Sequence, residues 1–154
     1  MKSLIVKGFF SYTLLSIYPV VILHSRESLF AKYLEEVYSF DADRIENVKT
    51  RLKKAIDDLK VETDENRFEQ ELIYYLEKLD INEEKVRLAN HLDYFLETLA
   101  LENSNGKKLG FIVQEMGREI NTTGSKANFA PMQKAVIQMK NELEQIKEQI
   151  LNVL

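Results

Sequence analysis

Cysteine is absent from the 154 residues, which removes disulfides, thiolate metal ligands and cysteine nucleophiles from consideration. Two histidines remain, too few without thiolates for an ordinary zinc ligand set. Glycine is limited to 5 positions and proline to 2. Few tight turns imply long elements, and long elements in such a chain are helices. A basic excess is missing too. The net charge is −4, and since Lys2, Lys7, Arg26 and Glu27 give residues 1–30 a net +2, the remainder carries −6. Nucleic-acid binding rests on phosphate neutralisation, so a polyanion would have to be met by a local cationic patch or a metal ion. What is present is a globular balance, 45% hydrophobic and 30% charged, over a length suited to one domain with its own core.

The beginning differs in kind from the rest. Gly8 to His24 (GFFSYTLLSIYPVVILH) is an uncharged run behind Met1, Lys2 and Lys7. It resembles a signal or membrane anchor, but ILHSRES offers no small-residue cleavage site, and the run is short for a span and interrupted by Pro19. A pair of short strands, or an irregular segment packed on the remainder, is the alternative that composition leaves open. The chain thus divides into residues 1–27, a hydrophobic segment of irregular or short-strand structure, and residues 28–154, a helical domain.

From Ser28 onward the apolar period is 3.6, and the predicted class is all-α, a bundle of long antiparallel hairpins. A first helix is expected over Ser28 to Tyr38, ended by Ser39-Phe40-Asp41. A second starts with Asp41 as N-cap and carries Ile45, Val48, Leu52, Ile56 and Leu59 on one face. Asp64 or Asn66 would cap a third, with Phe68, Leu72, Tyr75, Leu76 and Leu79 as its apolar stripe. Asp80 and Glu83 read as a capping box for a fourth, bearing Val86, Ala89, Leu92, Phe95, Leu96 and Leu99. A polar loop from Glu102 to Gly106 precedes a fifth, from about Lys107 to about Gly124, and Asn128 to Pro131 opens the last. Its Met132, Ala135, Val136, Met139, Leu143, Ile146, Ile150 and Val153 recur by threes and fours. That seam is expected to pack antiparallel on the second or fourth helix and to contribute to self-association.

Chemistry concentrates in the fifth helix and its exit, GKKLGFIVQEMGREINTTGSKAN. On a helical wheel Leu109, Ile112, Val113, Met116 and Ile120 form an ordinary core face. Opposite them Lys107, Gln114, Arg118, Asn121 and Ser125 share one narrow stripe, and Lys108, Glu115, Glu119, Thr122 and Lys126 share the next. Gly110 and Gly117 lie at the border, each costing about 1 kcal/mol relative to alanine, which points to close approach by a neighbouring helix or a substrate strand. Glu115 and Glu119 are four apart and repel unless a cation separates them. Arg118, Lys126, or a Mg²⁺ or Mn²⁺ ion with retained waters would serve, and a salt-bridged solvated face explains the same spacing. Asn121, Thr122, Thr123, Ser125 and Lys126 could hold phosphate oxygens, or act as a helix C-cap with Gly124 as its left-handed residue. His91, beside an apolar face, fits a packed structural imidazole as well as a general acid or base. Arg67, Glu69 and Glu71 open the third helix, where the dipole favours carboxylates in any case.

The stretches DENRFEQELIYYLEKLDINEEKVRLANHL, GKKLGFIVQEMGREINTTGSKAN and KNELEQIKEQILNVL resemble the C-terminal half of the YicC/YloC family of bacterial endoribonucleases, over roughly residues 40–154. The resemblance implies a cytoplasmic endonuclease of single-stranded RNA, dependent on a divalent metal (Mn²⁺ or Mg²⁺) and assembled as a ring-like homo-oligomer, a hexamer in the family. Family motifs fall on Arg67, Glu69, Glu71 and His91, on Lys107, Lys108, Gln114, Glu115, Arg118, Glu119, Asn121 and Thr122, and on Ser125 and Lys126. Taken with the stripes, this nominates Glu115, Arg118, Glu119 and His91 as catalytic and Glu115 and Glu119 as metal ligands. Lys107, Lys108, Gln114, Asn121, Thr122, Ser125 and Lys126 are the nominated RNA contacts. Family members open with a strand-rich half that begins on a Ser-Met-Thr-Gly-Phe/Tyr-like motif, and the first thirty or so residues here have no counterpart to it. A truncated or rearranged copy is therefore expected.

Three functions compete. A metal-assisted phosphodiesterase would hold its ion near Glu115 and Glu119, generating hydroxide or activating the RNA 2′-OH, with Arg118, Lys107 or Lys126 on the pentacoordinate phosphate. A noncatalytic helical scaffold or RNA-binding chain would keep the oligomerising helices without the chemistry. A membrane-tethered helical protein rests on Gly8 to His24 alone.

Overall fold

A computed structural model describes the backbone of residues 2–59, 64–101 and 106–152, and side chains from residue 20 onward within those stretches, Leu59 excepted. The expected loop residues 102–105 and Val153 lie outside them. The chain is all-α: α1 (Lys2–Ser39), α2 (Asp41–Leu59), α3 (Glu65–Lys78), α4 (Asn82–Leu99), α5 (Gly106–Lys126) and α6 (Ala130–Ile150). The amino-terminal segment, expected to be irregular or short-stranded, is helical from Lys2 and runs unbroken across the boundary drawn at residue 27. An uncharged run has no polar alternation with which to choose between the strand and helix periods. The side chains that prompted the membrane reading lie mostly outside the described ones. Among the described residues no helix is long and apolar enough to cross a membrane.

Four helices form the bundle. α1 buries Leu23, Phe30, Leu34 and Val37, a ridge at helical spacing, and packs on α6. Their antiparallel sense follows from Arg26 Nη1 meeting Glu142 Oε2 at 3.2 Å at one level and the Phe40 and Phe129 rings meeting edge to face at 6.2 Å at another. The last helix was expected on the second or fourth. It packs instead on α1 and α5, because α1 presents a long apolar ridge whereas Val48 is the only apolar side chain that α2 buries among the described residues. α5 lies against α6 on one side and α4 on the other, and α4 closes the ring against α1, where the Tyr38 hydroxyl donates to Lys85 O at 3.1 Å. Met116, Met132 and Met139 are fully buried in this interior.

The α2–α3 hairpin stands apart from the bundle. No residue of α3 is buried. Its predicted stripe is only half covered, and Ile73, Tyr74 and Tyr75 are exposed. Its base is clasped by charge. Arg44, 2% exposed, donates through Nη1 to Leu79 O at 2.8 Å and through Nη2 and Nε to Asp41 Oδ1 at 2.8 and 3.0 Å, while Lys85 Nζ meets Asp41 Oδ2 at 2.7 Å. Asp41 is therefore an ion-pair hub rather than the expected N-cap. Only Phe40 separates α1 from α2, and its carbonyl accepts from the Arg44 amide at 2.9 Å, while the Asp41 carboxylate is committed to Arg44 and Lys85.

Other caps divide similarly. Asp64 caps α3 as expected, accepting from Asn66 N at 3.0 Å. Asp80 and Glu83 form no capping box. α4 begins after Ile81 without a side-chain cap; Asp80 Oδ1 accepts from Asn82 N at 3.3 Å, and Glu83 is drawn away to Arg87. Gly124 is not a left-handed C-cap either. α5 continues through it to Lys126, and its exposed carbonyls are satisfied by Gln133, whose Nε2 donates to Gly124 O at 2.5 Å and Ala127 O at 2.7 Å.

Candidate functional site

The predicted core face of α5 is buried throughout, at Leu109, Ile112, Val113, Met116 and Ile120. This fixes which way the two polar stripes point. Of the two glycines read as points of close approach, Gly117 has a Leu143 methyl at 3.4 Å from where a Cβ would stand, and Gly110 faces open space. The tighter contact is at Gly124, where a Cβ would lie 3.1 Å from a Val136 methyl.

One stripe forms a charged seam with α4. Lys126 Nζ meets Glu84 Oε1 at 2.7 Å; Arg87 pairs with Glu83 on its own helix and reaches Glu119 Oε1 at 3.6 Å; and Lys108 Nζ sits 4.5 Å from the centroid of the Tyr94 ring. These contacts set an antiparallel register, and half-buried His91 lies on the α4 face that also carries Glu84, Arg87 and Tyr94. Glu84 lies in the first turn of α4 and Lys126 in the last turn of α5. Their pair therefore joins the ends of two helices at which each charge is favoured by its own helix dipole. The Glu84 side chain is 5% exposed and its Oε2 has no partner among the described residues, an arrangement that stability alone disfavours.

The other stripe faces outward. Arg118 Nη1 pairs with Glu115 Oε1 at 2.9 Å, and Lys107, Gln114, Asn121 and Ser125 are exposed. The Thr122 hydroxyl donates to Arg118 O at 3.1 Å and that of Ser125 to Thr122 O at 2.8 Å. Their hydrogens are thus committed to the helix, and only their oxygens are left to offer a ligand.

The structure gathers the nominated residues of α5 and His91 along one edge of the bundle. Arg67, Glu69 and Glu71 are not among them; all three are exposed on α3. A cleft of about 510 Å³ does lie between α2 and α3, but Asp57, Glu65 and Glu69 outweigh Lys53 in its lining, the wrong sign for a polyanion. Two seam residues were missed from sequence, Glu84 and Arg87. They share a face with His91 at spacings of three and four, which a wheel drawn for α4 shows, although it does not show that α5 lies against that face.

Among the described residues no three His, Asp or Glu side chains gather closely enough to enclose a metal. Glu115 and Glu119, one turn apart on α5, fit an open site of the kind that takes one or two carboxylates and completes its shell with water and substrate phosphate. Each carboxylate already faces an arginine, so such an ion would compete with a guanidinium.

A family model described as "Endoribonuclease YicC-like, C-terminal" matches residues 37–154. The chain is similar to a "probable endoribonuclease YicC" of Clostridioides difficile (strain 630), 36% identical over 131 residues that make up 83% of this chain and 45% of that protein. It is also similar to one of the same description from Haemophilus influenzae, 35% identical over 103 residues, 67% of this chain and 36% of that protein. The chain spans less than half the length of either relative.

Proposed function

The chain belongs to the YicC-like endoribonuclease family, and from that membership we propose that it is a metal-dependent endoribonuclease whose site is the α4–α5 seam with the outer face of α5. The observation that supports this most is the pairing of charge along the seam and the outer face of α5, where Lys126 and Arg87 in the seam and Arg118 outside it are each held by a carboxylate. Cations positioned in this way are pre-organised for phosphate oxygens without having to be ordered on binding.

In this reading Arg118, Lys107 and Lys126 bind phosphates, with Lys108, Gln114, Asn121, Thr122 and Ser125 lining the strand. Arg118 stabilises the charge that develops on the scissile phosphate. His91, on the α4 side of the seam, takes up or releases the proton of the attacking hydroxyl. Glu115 and Glu119 would hold a Mg²⁺ or Mn²⁺ ion, which supplies electrostatic stabilisation and acidifies a bound water or hydroxyl. The same proposal includes self-association, for which the exposed Ile73, Tyr74 and Tyr75 provide apolar surface, and a cytoplasmic setting.

The test is cleavage of a 5′-labelled RNA by the purified chain in Mn²⁺ or in EDTA, run beside Glu119→Gln. Cleavage lost both in EDTA and in the variant is the expected result. Equal cleavage in EDTA would remove the metal from the mechanism, and RNA binding without any cleavage would leave a noncatalytic RNA-binding chain.

A further inference from the structure

Phe111 is the most exposed aromatic side chain among those described, at 68%. It lies in the polar outer face of α5 and not on its apolar face. Lys107 stands four residues before it and Arg118 seven after, about 6 and 10 Å along the axis at 1.5 Å per residue. Toward α4, half-exposed Tyr94 already carries Lys108 over its ring. Aromatic faces therefore alternate with cations along this side of the molecule. A nucleotide offers the matching pair of surfaces, a flat base to stack and a phosphate to neutralise, and sequence-tolerant strand binders are built from this combination. A protein partner fits less well, because the cores of protein interfaces are depleted of the lysine that flanks Phe111 on two sides.

We propose that Phe111 is a base-stacking platform of the RNA site, with Lys107 and Arg118 taking the phosphates on either side of the stacked nucleotide. This rests on the RNA reading above and requires the nucleotide at Phe111 to be unpaired, in keeping with the single-stranded substrate that the resemblance implies, since a base inside a duplex has both faces covered. The full chain is titrated in EDTA with a short unstructured RNA oligonucleotide carrying 2-aminopurine, following affinity and quenching, for the wild type, Phe111→Ala and Phe111→Tyr. Sedimentation of all three proteins is measured in parallel. The wild type should quench the probe; Phe111→Ala should lose the quench and bind about tenfold more weakly or worse; Phe111→Tyr should restore both, with sedimentation unchanged throughout. Equal affinity and quench in Phe111→Ala would overturn the platform and leave RNA binding standing, whereas no binding by the wild type would remove both. A hairpin RNA bound as tightly as the unpaired strand, or a shift in sedimentation for Phe111→Ala that marks Phe111 as a contact between copies, would also overturn it.

Discussion

At the scale of single residues, the Asp41–Arg44–Lys85 clasp shows how a charge can be buried at tolerable cost. Burial pushes the Asp41 carboxyl up, but hydrogen bonds from Lys85 and Arg44, together with their charges, outweigh it and hold the carboxyl below its ordinary value of 3.8. A group of this kind binds its proton more readily in the unfolded chain, so its stabilisation is complete above that value and is lost as pH falls through the lower folded value. Asp41→Asn, which strands the Arg44 guanidinium, should cost about 3 kcal/mol at neutral pH. The gap between the two melting temperatures should narrow below about pH 4, and a gap independent of pH would show that the clasp is not an ion pair. Arg118 is the opposite case, with its side chain 65% exposed. Arg118→Gln should change stability by no more than about 1 kcal/mol while weakening RNA binding by tenfold or more, as expected for loss of a charge-assisted phosphate contact. A large fall in melting temperature with RNA affinity untouched would make the residue structural.

At the scale of elements, Gly110 and Gly124 occupy one helix under opposite constraints. Alanine at Gly110 meets nothing and should stabilise α5 by up to about 1 kcal/mol. Alanine at Gly124 gains the same propensity but drives its methyl into Val136, a buried, β-branched side chain with few rotamers to retreat to. Overpacking costs of about 1–3 kcal/mol should make Gly124→Ala neutral to destabilising, so thermal melts should rise for Gly110→Ala and stay level or fall for Gly124→Ala. The contrast also marks what could be read in advance. Helix existence from Ser28 onward, the core face of α5 and the Asp64 cap depend on neighbours in sequence, and all were legible. Gly124 and Asp41 were misread because their roles depend on what packs beside them, Val136 and Gln133 from α6 for the first and Lys85 from α4 for the second, whereas Asp80 was misread because Arg87, one turn on from Glu83, takes that glutamate out of the expected box. The two polar stripes of α5 were legible for the first reason. Glu84 and Arg87 were not, because α4 alone gives no sign that α5 will lie against it.

At the scale of the molecule, the bundle and the α2–α3 arm should differ in local stability, since α3 has no buried residue while α5 and α6 each bury eight. Amide hydrogens of α3 should exchange at least about tenfold faster than those of α5 and α6; uniform protection would mean that the arm unfolds only with the rest. The bundle's interior has a chemical consequence as well. Thioethers are oxidised by peroxide in proportion to their contact with solvent, and Met116, Met132 and Met139 have none in the folded chain. They come from two helices that are packed against each other, so separating those helices uncovers all three together. Under peroxide the three sulfoxides should therefore accumulate at one shared rate that rises with denaturant as global unfolding does. One methionine oxidised well ahead of the other two would reveal a partial opening of the bundle. Sulfoxide formation thus records how often the whole interior is wetted, and because a polar sulfoxide cannot be repacked there without cost, each such opening caught by an oxidant makes the next more frequent.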